Sequence, residues 1–474
     1  MDELNALNPD KKFISWQTLF LMALCTVIGL DDIMFNFQNQ GMAVIFSWIV
    51  MVLFYVIPYS LMVGQLGSAF STEGGGLSSW VRGTDGEFLG YFTAWTYWAA
   101  SIPYAVDSAN EVIVDLGWAL TGSEKFQDQI PNSLFALLTF VTFIVFIIIE
   151  HHFSNSMEFL STIGGGLMVI MTILFVVLAF VGSFALGIYF NANHMPNDLK
   201  MNGAYYAFKM IGHQYGWGNF LLYLWAWTSF FFNCALLAVL LDAMTRMLIS
   251  DTGSRYMPKF LRKKDKNGLP INGYILTVAL SSFIMILGIF LPDMNDIFNW
   301  LLNLNAIVSP GVTCWIFYSF MRVRKDSKKF PSKYVFIKND KIAYAVGLIL
   351  LLVTAIATIM GITPQDVPEG SSIWWYELII NIVAVIVLIG LGAILPGIRH
   401  REVEYGIAFD KVQWISMIAI IMCSIIFGIY LGGLKHLSGR GIYIAVESIF
   451  SLLIVWLIGR RKPDLANGFK AEED

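Results

Sequence analysis

Residues 342–362 read IAYAVGLILLLVTAIATIMGI, a run without a single charged side chain. A helix needs about 20 mostly apolar residues to cross roughly 30 Å of hydrocarbon, so this stretch predicts a transmembrane span. Lys341 closes it on one side and Gly361 through Pro364 on the other. Working outward with the same rule gives about twelve spans: 14–35, 42–66, 88–117, 131–150, 156–186, 218–245, 271–292, 297–321, 342–362, 373–395, 412–433 and 441–459. Gly41, Gly187, Pro270 and Pro396 mark breaks between them. The fifth run is long for one crossing, and Gly164-Gly165-Gly166 near its start is a place to tilt or bend. The fold class is therefore an all-α polytopic membrane protein.

Composition agrees. Hydrophobic residues make up 57% of the 474 and charged residues 14%, against roughly 45–50% and about 25% in soluble domains. The formal charge of −4 is spread among the loops, which excludes a nucleic-acid-binding surface. Cys25, Cys234, Cys314 and Cys423 all fall in apolar runs and show neither a disulfide framework nor metal-ligand spacing. No Walker A sequence, nucleophile elbow or HExxH is present, so the expectation is a protein that is not an enzyme and carries no cofactor. Met1–Lys12 holds acids and lysines, and the run after it lacks a small-residue cleavage site, so it reads as a first helix and not as a leader.

Lysine and arginine set the orientation. With both termini cytoplasmic, the inner loops hold Arg82, the groups from Arg246 to Lys266 and from Arg322 to Lys341, Arg399, Arg401 and Lys411. The outer side keeps only Lys125, Lys200, Lys209, Lys435 and Arg440. That asymmetry satisfies the positive-inside rule throughout and predicts a multi-pass membrane protein with both termini inside. Residues 1–13 and 461–474 are then cytoplasmic tails, and 14–460 is one transmembrane domain. The outer loop 187–217 carries Tyr205, Tyr206, Phe208 and Met210, a pattern for a short interfacial helix.

Polar groups in a span cost a few kcal/mol each and need a reason. The first span has Gly29-Leu30-Asp31-Asp32, with Asn36, Gln38, Asn39 and Gln40 beyond. Adjacent carboxylates cannot share a helix face. Either the helix unwinds at Gly29, so that both acids face a cavity as in the broken helices of secondary transporters, or the span ends near Leu30 and both acids are interfacial. The third span places Asp107, Glu111 and Asp115 at intervals of four on one stripe, with Trp95, Tyr97, Trp98 and Tyr104 on earlier turns. It predicts an aqueous vestibule attractive to cations, or else a helix that ends near Asp107. Pro103 is a candidate kink. Asn233 reads as a packing amide or, in the other reading, a pore amide, and Glu377 and Glu447 as inter-helix contacts. The Glu150-His151-His152 cluster would need further ligands from elsewhere to hold a metal.

Gly64-Gln65-Leu66-Gly67 and Glu73-Gly74-Gly75-Gly76-Leu77-Ser78-Ser79-Trp80-Val81, after a glycine-broken first helix, resemble the amino acid–polyamine–organocation superfamily. Arg255-Tyr256-Met257-Pro258-Lys259 leading to Gly268-Leu269-Pro270-Ile271-Asn272 is similar to that family's linker between helices eight and nine. The nearest likeness is to bacterial permeases of the glutamate/γ-aminobutyrate antiporter type. The resemblance implies a five-plus-five inverted repeat in which broken helices one and six bind substrate. Only six spans precede Arg255, however, and Gly187-Ile188-Tyr189-Phe190 looks like the end of the family's seventh helix. In that register two helices, the sixth and seventh, are missing and the second repeat is incomplete; in the other, span six is an unusual counterpart of the broken helix.

What the resemblance implies is secondary amino-acid transport, by exchange or cation coupling. Ile28, Gly29, Leu30, Asp31 and Asp32, with Tyr97, Ser101 and Tyr104, are the expected substrate contacts. Asp31, Asp32 and Asp107 are the expected cation or proton sites. The partners expected are an amino acid and the lipid bilayer. The rival reading is a shortened, non-transporting relative that serves as a membrane scaffold or subunit.

Overall fold

The computed structural model describes residues 36–37, 40–71, 76–152, 198–251, 255–263, 271–364, 367–431 and 437–464. The chain divides into two compact units, Met1–Trp48 with Ala105–Ala243, and Ile49–Tyr104 with Met244–Asp474. Every regular element among the described residues is helical. In chain order these are α1 (Gly41–Ala69), α2 (Leu77–Asp85), α3 (Glu87–Thr121), α4 (Lys125–Gln129), α5 (Asn132–His152), α6 (Leu199–Gln214) and α7 (Phe220–Asp251). They continue with α8 (Lys259–Arg262), α9 (Ile271–Gly288), α10 (Met294–Lys325), α11 (Asp340–Met360), α12 (Ser372–Tyr405), α13 (Lys411–Leu431) and α14 (Leu437–Arg460).

Eight described helices are long and apolar enough to cross a membrane, in α1, α5, α7, α9, α10, α11, α12 and α14. Ten of the expected spans correspond to described helices, within a few residues at most ends; those at 14–35 and 156–186 lie outside the described residues. Gly41 does mark a break: it starts α1 with φ +56, a conformation that suits a residue without Cβ. Within α1 a π-helical turn, Val52–Val56, precedes Pro58. Proline has no N–H and crowds the carbonyl four residues back, and a wider turn there relieves both.

Pro396 does not end a span as expected. α12 runs through it to Tyr405 and stops at Gly406, whose φ of +76 gives the left-handed turn. The extension past Pro396 is held from outside the helix backbone. Glu402 accepts from the Lys259 amide at 2.8 Å and from Arg399 at 3.2 Å, while Arg401 reaches the carbonyls of Ala408 and Arg461.

The second unit is packed by apolar side chains. Met62, Leu66 and Phe70 meet Phe317, Phe320 and Val323 of α10 and Ala343 and Leu350 of α11. Gly347 lets α11 approach, since a Cβ there would lie 3.0 Å from Met321 and 3.1 Å from Phe320. The α10–α11 loop is stitched back to α1 by Ser332 donating to the Gln65 carbonyl and the Tyr334 amide donating to Ser68. In the first half of α3, Tyr91 donates to the Gly392 carbonyl at 2.7 Å and Trp95 Nε1 to the Leu388 carbonyl at 2.8 Å. Trp95 and Trp98 are fully buried, so these rings pack the helix and do not line a vestibule. Outside, Leu348, Ile349, Leu352, Ile356 and Ile359 of α11 remain exposed, as a lipid-facing surface requires.

Candidate functional site

The first unit is organised by polar side chains on the second half of α3. Asp107, Glu111 and Asp115 do share a stripe, but it is not an open vestibule: Asp107 and Asp115 are buried, at 3% and 0% exposure. α6 supplies the cover. Lys200 Nζ stands 3.3 Å from Asp107 Oδ1, with both side chains out of solvent. The Tyr205 hydroxyl donates to Asp115 Oδ1, and Asn233 Nδ2 of α7 donates to Asp115 Oδ2 at 2.8 Å. Three helices are thus tied to one carboxylate stripe. Buried charges persist only when paired and hydrogen-bonded, which is what these contacts provide.

One turn further, Trp118 stacks on Tyr205 with ring centroids 4.7 Å apart and donates from Nε1 to Asn202 Oδ1 at 2.8 Å. Asn202 also donates to Asp198 at 2.8 Å and to Gln127 at 3.0 Å, which binds the α4 loop to the same cluster. Tyr206 donates to Asp198 at 2.6 Å. Burial first, then the charge of Asp115, then that of Glu111, push the Tyr205 hydroxyl well above the usual phenol range. Burial and then the hydrogen bond to Asp198 push Tyr206 the same way. Both phenols are therefore neutral donors at any physiological pH. Thr139 of α5 donates to Asn110 at 2.6 Å and completes the polar seam.

Sequence reasoning placed the acids on one stripe and a helix in the loop 187–217, but not their union. Lys200, read only as an outer-loop cation, is the ion-pair partner of Asp107. Asn233 is a packing amide, as expected, bound to Asp115. Glu447 is an inter-helix contact, accepting from Ser424 of α13 and from Ser451. Ile28, Gly29, Leu30, Asp31 and Asp32 lie outside the described residues. Tyr97 and Ser101 lie one turn apart on α3, Tyr97 at 43% exposure and Ser101 donating to the Tyr97 carbonyl at 3.0 Å. Tyr104 is half-buried further along the same helix. No cluster of three metal-ligating side chains occurs among the described residues.

Two family models, both described as amino acid permease, match residues 14–235 and 231–431. The aspartate/glutamate permease AcaP of Lactococcus lactis subsp. cremoris is 32% identical over 480 residues, covering 85% of this chain and 98% of that protein. The chain belongs to the amino acid permeases of the amino acid–polyamine–organocation superfamily. Among other relatives, the probable agmatine/putrescine antiporter AguD of Lactococcus lactis subsp. lactis is 22% identical over 390 residues, 67% of this permease and 82% of the antiporter. The inner membrane transporter YjeM of Escherichia coli is 24% identical over 189 residues, 38% of each chain. This is a family of transporters, and the eight described helices long and apolar enough to cross a membrane are those of a polytopic membrane protein.

Proposed function

We propose that the protein is a secondary transporter of acidic amino acids in the plasma membrane, with both termini cytoplasmic, working by exchange or cation coupling. The likeness to an aspartate/glutamate permease across nearly all of that protein's length carries the reading. Ile28–Asp32 remains the proposed contact for the substrate's amino and carboxylate groups, through backbone dipoles freed at Gly29. Tyr97, Ser101 and Tyr104 are further proposed contacts. Asp31, Asp32 and Asp107 remain the proposed cation or proton sites. For Asp107 the chemistry is specific: an arriving cation competes with the Lys200 ammonium already 3.3 Å away. Uptake by proteoliposomes containing the purified protein tests this. Saturable aspartate or glutamate uptake, competed by the other and not by putrescine, is the expected result. Putrescine transport with no acidic-amino-acid transport overturns the substrate, and a pH- and sodium-independent obligatory exchange removes the cation-coupling arm.

A second reading, a shortened relative without transport, is supported by one observation. The alignment to the aspartate/glutamate permease runs over 480 residues yet takes up only 85% of this 474-residue chain. The relative therefore carries residues that face none here, roughly 80, enough for two spans with their loops. Well-folded protein that shows no uptake of any amino acid under a proton or sodium gradient favours this reading over the first.

A further inference from the structure

The second unit contains a cleft of about 400 Å³ between the first half of α3, α10, α11 and α12. Among the described residues, no charged side chain lines it. Its polar groups are already engaged: Trp315 Nε1 donates to Thr96 Oγ1 at 3.2 Å, the Tyr318 hydroxyl to Asp85 Oδ1 at 3.1 Å, and Thr358 to the Thr354 carbonyl at 2.8 Å. Among the described residues of the lining, nothing anchors the ammonium or carboxylate of an amino acid. Water does not fill an apolar space of this kind, and an empty one forfeits packing.

The surroundings say what does fill it. Ile389 on the lining is 38% exposed and continues the exposed row of Ile382 and Ile386 along α12. On α11 the neighbouring Leu352, Ile356 and Ile359 are exposed as well. In a membrane the solvent beside such faces is hydrocarbon. One turn past Tyr318 on α10, Arg322 pairs with Asp85, its Nε 2.9 Å from Oδ1, and its side chain is still 36% exposed. Lys325 follows, exposed, at the start of the basic loop that the charge asymmetry assigns to the cytoplasm.

We propose that this cleft binds one acyl chain of an anionic phospholipid from the cytoplasmic leaflet, its phosphate held by Arg322. A guanidinium is suited to that contact because it offers several donors in a fixed plane. The apolar walls select a chain, and the cation favours a headgroup of net negative charge over one whose own ammonium offsets the phosphate. The surface potential of that leaflet supplies the lipid locally.

Native mass spectrometry of the detergent-washed full-length protein reads this directly, with phosphatidylglycerol and phosphatidylethanolamine added back in equal amounts. One phospholipid retained per chain is expected, with about tenfold preference for the anionic lipid, the factor that roughly one charge-assisted contact supplies. A Cβ at Gly311 would meet only Thr358 at 3.6 Å, so Gly311→Leu can enter the cleft without backbone strain. It should lower retention at least fivefold; Ala100→Leu, from the facing helix, does the same if the first variant folds poorly. Arg322→Gln should retain lipid but lose the preference. Wild-type protein that holds no phospholipid, or a folded cleft variant that retains it undiminished, overturns the proposal. Retention with no headgroup preference in the wild type overturns the role of Arg322.

Discussion

The two halves of α3 solve the same packing problem with opposite chemistry. Its first half, in one unit, lies against α12 through Tyr91 and Trp95, which donate to backbone carbonyls across a glycine seat at Gly392. Its second half, in the other unit, is joined to α6 and α7 through carboxylates that meet Lys200, Tyr205 and Asn233. In the first case a residue without a side chain makes the fit. In the second, each charge creates a demand that a partner must meet. Apolar seats tolerate volume errors badly but ignore pH and salt; polar seams accept shape change but not an unanswered charge.

The largest expected effect lies in the polar half. Lys200→Met removes the ammonium beside a buried Asp107, and losing one member of such a pair costs about 3–5 kcal/mol. Thermal unfolding in detergent should show it, and Asp107→Leu in the same chain should recover most of the loss. A double variant as unstable as Lys200→Met would mean that the pair's shape, not its charge, holds α6, and the contrast between the halves would fall.

In the apolar half, Gly392→Ala puts a Cβ into the Trp95 indole, which is fully buried and has nowhere to turn. Overpacking of this kind costs about 1–3 kcal/mol. Trp95→Phe should rescue it in part by vacating the space. Failure of that rescue in a melting experiment would show that the seat is set by the α12 backbone and not by the ring.

Gly347→Ala should do less. Its Cβ would meet the Met321 side chain at 3.0 Å and the Phe320 ring at 3.1 Å, and a flexible thioether can yield. About 1 kcal/mol or under is expected; a loss equal to that of Gly392→Ala would erase the distinction between yielding and rigid neighbours.

The smallest effect is a titration. Asp410, in the turn after α12, accepts from the backbone amides of Asp464 at 2.9 Å and Gln413 at 2.8 Å, and these bonds hold its carboxyl below the usual carboxylate value of 3.8. A lowered folded value means the clasp contributes fully above 3.8 and is lost as pH falls below that towards the folded value. The protection of the Asp464 amide, taken as its exchange relative to the intrinsic rate, should therefore be flat from neutral pH to about 4 and fall only below, and Asp410→Asn should remove the pH step. Protection that falls first near neutral pH would trace the clasp to another group.

The layout of the apolar helices was legible because hydropathy is local. Any twenty consecutive residues carry enough information to ask whether they suit hydrocarbon, and α5, α9 and α11 follow the apolar runs closely at most of their ends. The stripe Asp107, Glu111, Asp115 was legible for the same reason, since a four-residue interval fixes a helix face. Its environment was not. Tyr205 is separated from Asp115 by 90 positions, and Asn233 by 118, so nothing near the stripe announces that it is covered. Trp95 and Trp98 look like lining aromatics until Leu388, 293 positions away, takes the Trp95 N–H. Pro396 looked like a stop because the contacts that carry α12 past it come from Lys259 and the turn after Tyr405.

The sequence alone determined that this chain lives in a membrane, about where it crosses, and which family its glycine motifs resemble. Each of those properties is written in runs of neighbouring residues. Tertiary structure alone decided whether a carboxylate is a vestibule wall or one side of a buried ion pair, and whether a tryptophan faces a cavity or a glycine. Those outcomes depend on which distant helix arrives opposite, and a charge or a ring has no fixed role until its partner is in place.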